Sequence, residues 1–86
     1  MLKMFLEIWQ ERSHYCQSCG KWLGDESKTI FFDHLLEKSK FPELMLEKDN
    51  IFLCCWKCHD LKNNGHPTEA HEQAIDNYIT QLDGTV

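Results

Sequence analysis

Two cysteine pairs constrain this chain more than any other feature. Cys16-Gln17-Ser18-Cys19 and Cys55-Trp56-Lys57-Cys58 lie 35 residues apart in a chain of 86. A chain this short builds only a marginal apolar core, and such domains often need a metal or a disulfide as a staple. Two thiolates spaced this way on a tight turn can face one ion, and a tetrahedral zinc then needs a second pair. Here one pair is followed by Gly20 and the other begins a helix-like stretch. A redox CxxC would need no partner pair. A structural zinc held by Cys16, Cys19, Cys55 and Cys58 is therefore expected. Cys54 is the fifth cysteine. It stands at helical spacing from Cys58 and could replace Cys55. Cys55 is preferred, because CxxC leading into a helix is the knuckle geometry. Cys54 follows the apolar run Ile51-Phe52-Leu53 and suits a small core position.

Metal-binding thiols imply a reducing compartment. The first eleven residues mix Lys3, Glu7 and Glu11 with apolar residues, unlike a signal-peptide core, and no run is long enough to span a membrane. A cytoplasmic protein is expected. The net charge of −5 is unusual for a phosphate-binding partner. The imbalance is concentrated at one end. From Pro67 onward there are four acids and no Lys or Arg, leaving ten acids against nine bases in the first 66 residues. Local charge must then do any nucleic-acid binding.

The coarse pattern is α+β. Leu2, Phe5, Leu6 and Trp9 predict an amphipathic helix over 2–12. Thr29 to Asp33 is β-prone, and Ile51 to Cys54 reads as a second strand. Phe41-Pro42 interrupts the intervening loop. Trp56 to Asn63 reads as a helix stopped by Asn63-Asn64-Gly65. Pro67 suits the first turn of a last helix, with Ala70, Ala74, Ile75, Tyr78, Ile79 and Leu82 as its apolar stripe and Gly84 as its stop. Its acids offer a surface for a protein partner. His14 is expected to pack near the first cysteine pair, His66 to cap the last helix, and His71 to face solvent.

Between the cysteine pairs lie Asp33-His34 and Asn50, and His59 follows Cys58 directly. A hard divalent ion takes a carboxylate oxygen and can add an imidazole nitrogen, keeping positions open for water and phosphate. A neutral histidine beside it can take a proton from an attacking water. An asparagine at a loop end can bond backbone groups and hold such a base in place.

At these residues the chain resembles the HNH endonuclease family, most closely small phage and prophage members with a four-cysteine zinc knuckle. The matching text is Cys16-Gln17-Ser18-Cys19, Phe32-Asp33-His34-Leu35-Leu36, Phe41-Pro42-Glu43-Leu44, and the run Asp49-Asn50-Ile51-Phe52-Leu53-Cys54-Cys55-Trp56-Lys57-Cys58-His59. The resemblance implies a small ββα-metal, treble-clef-like domain and a bacterial, phage- or prophage-encoded origin. It implies metal-dependent hydrolysis of DNA phosphodiesters, with His34 as general base and Asn50 ordering the loop. It places a catalytic divalent cation (magnesium, manganese, nickel or zinc) on Asp33 and His59, with Asn63 a further candidate ligand one helical turn beyond. Lys57 and Lys62 fall where phosphate contacts are expected, with Lys38 and Lys40 as further candidates. Two positions depart from the family: Glu37, where relatives often have proline, and Cys54, where an apolar residue is usual. The expected organisation is one domain over 1–86, with an N-terminal helix over 1–14, the knuckle and ββα core over 15–65, and a C-terminal helix over 66–86. The alternative is a non-catalytic zinc-ribbon or treble-clef module that binds nucleic acid or protein. Such a module has no need of Asp33-His34 with His59.

Overall fold

A computed structural model describes residues 2–83. The elements run α1 (Lys3–Glu11), β1 (Phe32–His34), β2 (Ile51–Leu53), α2 (Trp56–Asn63) and α3 (Glu69–Asp83), with 3₁₀ turns at Thr29–Phe31, Pro42–Leu44 and Lys48–Asn50. The strands pair antiparallel, with Phe32 opposite Leu53, Asp33 opposite Phe52 and His34 opposite Ile51. The fold is the expected small α+β arrangement. No described helix is long and apolar enough to cross a membrane.

Helix α1 buries Phe5, Ile8 and Trp9, while Leu2 and Leu6 stay exposed. The buried stripe therefore turns from the expected one by including Ile8. The i, i+3, i+4 spacing of 5, 8 and 9 continues to Arg12 at i+7. The Arg12 guanidinium donates to the carbonyls of Ile51 (2.6 Å) and Lys48 (2.9 Å), tying the end of α1 to the entry of β2. Phe5 stacks on Phe32 of β1 at 4.5 Å between ring centroids. The core continues through Leu35, Ile51, Phe52, Leu53 and Cys54 to Tyr78 on α3.

The β-prone run is a strand only at its end. Thr29–Phe31 forms a 3₁₀ turn, so β1 starts at Phe32. Burial selects the turn: Phe31 enters the core and Ile30 stays exposed. Helix α2 has the expected bounds. It ends in a Schellman motif, with the N–H of Gly65 on Lys62 O and that of His66 on Leu61 O, and Gly65 at φ 82°. His66 thus closes α2 through its backbone instead of capping α3. The cap of α3 is Thr68, whose Oγ1 accepts from the N–H of His71, and Pro67 lies just outside the helix. Ser18 in the first cysteine turn hydrogen-bonds the same Thr68 hydroxyl.

Helix α3 corrects the expected stripe. Its buried face is His71, Ala74, Ile75, Tyr78 and Leu82, with Ala70 and Ile79 exposed. His71 is fully buried where solvent exposure was expected. Glu69 and Glu72 occupy the first turn, favourably for the helix dipole. Gly84, the expected stop, lies outside the described residues.

Tyr78→Ala should lower unfolding stability of the metal-loaded protein by about 3 kcal/mol, the usual cost of emptying a buried aromatic site. Ile79→Ala should change it by less than about 0.5 kcal/mol. Urea denaturation followed by circular dichroism measures both.

Candidate metal centres and active site

The first cysteine turn forms because its backbone closes on itself. The N–H of Gly20 bonds Cys16 O, the N–H of Cys16 bonds Lys21 O, and Tyr15 bridges Trp22. Gly20 sits at φ 81°, a conformation that a side chain disfavours. Gln17 joins this turn to β2: its N–H donates to Leu53 O at 2.7 Å and its Oε1 accepts the Leu53 N–H at 2.8 Å. The second pair stands at the start of α2, with Cys55 at the N-cap position.

The four thiol sulfurs of Cys16, Cys19, Cys55 and Cys58 lie within 4.8 Å of one another. Cys19 and Cys55 are 3.8 Å apart. Tetrahedral zinc with Zn–S near 2.3 Å separates its sulfurs by about 3.8 Å. The donor set therefore fits a structural metal ion. Burial opposes the Cys16 thiolate, but hydrogen bonds from the backbone of Cys19, Cys55 and Ser18 outweigh it and bring its pKa to about 7. Burial pushes the Cys58 thiol up to about 12, so an ion must displace its proton. Cys54 is fully buried and stands outside the sulfur cluster. Burial, then the negative charge of Asp33, pushes its thiol strongly up.

The second group of polar residues surrounds Asp33, in the middle of β1 and only 4% exposed. Its two carboxylate oxygens have different surroundings. Oδ2 accepts from His71 Nε2 and pairs with Lys62 Nζ, each at 2.9 Å. Oδ1 faces His59 Nε2 at 3.6 Å, beyond a normal hydrogen bond. Burial alone would raise the Asp33 pKa. The hydrogen bonds of His71 and Lys62 and the nearby charges of Lys62 and His59 more than offset that, holding it below the usual carboxylate range.

His59 and His34 are each anchored to a backbone carbonyl through one ring nitrogen. His59 Nδ1 donates to Ile30 O at 2.8 Å, which leaves its Nε2 lone pair available towards Asp33. His34 Nε2 donates to Met45 O at 3.0 Å, which leaves a lone pair on Nδ1. A carbonyl can only accept, so these bonds fix both tautomers. An ion about 2.1 Å from Asp33 Oδ1 and His59 Nε2 would hold them about 3.0–3.4 Å apart, so a small closure suffices. The carboxylate-plus-imidazole pair fits a divalent cation.

Asn50 lies fully buried at the entry to β2. Its Oδ1 accepts the N–H of Leu36 at 2.8 Å, and its Nδ2 donates to the carbonyls of Leu36 and Leu44, both at 3.2 Å. It thus ties together both ends of the loop whose Met45 carbonyl holds His34.

Residues 16–65 match the family model for HNH endonuclease. The chain belongs to the HNH endonuclease family. The matched segment runs from Cys16 to Gly65 and includes both cysteine pairs, both strands and α2. No curated protein and no solved structure matches the chain.

The structure brings Asp33, His34, His59, Lys62 and Asn63 to one shallow cleft, with Lys38 on its rim. Asn63 is exposed there. Lys57 is exposed on α2. Lys62 is turned inward, bonded to Asp33 and to the His34 carbonyl, with a side chain only 12% exposed. An open phosphate-seeking side chain was expected, and the buried carboxylate accounts for the difference. His14 stacks on Trp9 at 3.7 Å and bonds its carbonyl, close to the knuckle as expected.

His71 was missed by the sequence reading and lies outside the HNH match. The signal was its spacing, since 71, 74, 75 and 78 fall on one helical face. Its other ring nitrogen, Nδ1, is buried and has no hydrogen-bond partner among the described residues.

Cys55→Ser should abolish stoichiometric metal retention and most of the folded signal, because structural zinc supplies on the order of 10 kcal/mol of folding free energy. Cys54→Ser should retain one ion per chain. Elemental analysis and far-ultraviolet circular dichroism test the pair together. Loss of metal in the Cys54 variant alone would reverse the ligand assignment.

Proposed function

We propose that this HNH protein is a metal-dependent DNA endonuclease, with residues 1–86 acting as one domain. The observation that carries the reading is the paired arrangement of Asp33 Oδ1 and His59 Nε2, 3.6 Å apart, in one cleft with His34, whose Nε2 is taken up by Met45 O. A non-catalytic zinc module gains nothing from such an arrangement. Family membership points to nuclease chemistry in general, and these residues support hydrolysis of a phosphodiester in particular.

His34 acts as the general base. Its Nδ1 takes a proton from water, and the resulting hydroxide oxygen bonds to phosphorus as the bond to the leaving sugar oxygen breaks. The Met45 carbonyl holds the imidazole in the required tautomer, and Asn50 holds the loop that carries this carbonyl. Asp33 and His59 would hold a divalent cation, magnesium or manganese being suited to the carboxylate. When bound, the cation stabilises charge on the phosphoryl and leaving oxygens. Cys16, Cys19, Cys55 and Cys58 would hold zinc in a structural role. Lys57 and Lys38 offer positive charge to the DNA backbone, and Lys62 lines the cleft wall. The exposed acids Glu69, Glu72 and Asp76 keep the outer face of α3 away from DNA and leave it open to a protein partner.

His34→Ala should lower the rate of plasmid cleavage by roughly a hundredfold or more while zinc content and binding of the second metal stay unchanged. Asp33→Ala and His59→Ala should also weaken the second metal, so that raising manganese recovers part of their activity. Nicking assays across a manganese series separate the two classes. Cleavage by the His34 variant at the parent rate would eliminate the proposed mechanism.

A further inference from the structure

We propose that His71 is a positioning residue for the divalent-cation site, holding the Asp33 carboxylate in the orientation that binds the ion. The inference rests on the endonuclease reading and adds a residue from outside the segment that defines the family. A carboxylate on a strand can rotate about its last bond and exchange its two oxygens. Here Oδ2 is occupied by His71 and Lys62, leaving Oδ1 as the oxygen that faces His59. The two donors are not equivalent. Lys62 is a long side chain that also bonds the His34 carbonyl and borders the open cleft. His71 is fully buried, its ring packed against Phe52 at 4.4 Å between centroids. It is fixed by the helix whose cap, Thr68, bonds the first cysteine turn.

The unpartnered Nδ1 strengthens the assignment. An ionised carboxylate can only accept, so His71 must donate from Nε2, and its Nδ1 then finds no hydrogen-bond partner among the described residues. A residue present only to fill the core would be better served by leucine or phenylalanine, neither of which buries an unsatisfied nitrogen. Among the described residues the imidazole makes one hydrogen bond, to Asp33 Oδ2. Residues that orient a metal ligand in this way commonly change metal affinity by ten- to a hundredfold.

The test uses the zinc-loaded full chain and manganese binding, measured from the paramagnetic resonance signal of free Mn²⁺. The parent should bind one Mn²⁺, and Asp33→Ala should weaken that binding more than any His71 variant does. His71→Leu should weaken that binding by tenfold or more with zinc content unchanged. His71→Gln, which keeps a donor, should stay within about threefold of the parent. Unchanged affinity in His71→Leu, or equal loss in both variants, overturns the positioning role while leaving the endonuclease reading intact. A parent that binds no Mn²⁺ at Asp33 overturns that reading, and this inference with it. Should His71→Leu not fold, nitrogen NMR of the parent decides: the His71 proton should reside on Nε2 and its resonance should shift in Asp33→Asn. A proton on Nδ1 overturns the inference.

Discussion

The structure depends on the burial of one carboxylate. Asp33 sits in the middle of β1 with 4% of its surface exposed, and an unpaired charge there would be strongly destabilising. Its partners come from two other elements: Lys62 and His59 from α2, and His71 from α3. The need to pair Asp33 therefore fixes how both helices lie against the hairpin. It also explains why α3, outside the family match, belongs to the structure of the site and is more than a cover for the core.

Helix α2 links the two metal-fitting groups. Cys55 and Cys58 stand at its start, His59 follows directly, and Lys62 lies one turn beyond His59 on the same face. The sulfur cluster fixes the first turn of α2 relative to the knuckle, and Gln17 fixes the knuckle relative to β2. Rigid placement of His59 opposite Asp33 follows from these local constraints. A short helix of eight residues could not hold that position by its own helical preference.

Much of this was legible in the sequence because the controlling signals are local. The bounds of α2 follow from CxxC at one end and Asn63-Asn64-Gly65 at the other, and the spacing of the cysteines foretold the cluster. Other features were decided at long range. Thr29–Phe31 has strand-forming residues but turns so that Phe31 enters the core while Ile30 offers its carbonyl to His59. His71 reads as a polar residue on an amphipathic helix, and only its partner 38 residues away explains its burial. Lys62 resembles a surface lysine until the buried charge beside it is known. In each case a distant partner overrode the local preference.

We propose that two metals do separate work, one structural at the cysteines and one catalytic at Asp33 and His59. The most direct test follows supercoiled plasmid cleavage by zinc-loaded protein as a mild chelator removes the weaker ion. Cleavage should stop while one zinc per chain and the helical signal persist, and it should return on adding magnesium or manganese. Cleavage that continues without the weaker ion, or none with any divalent cation, would contradict the account.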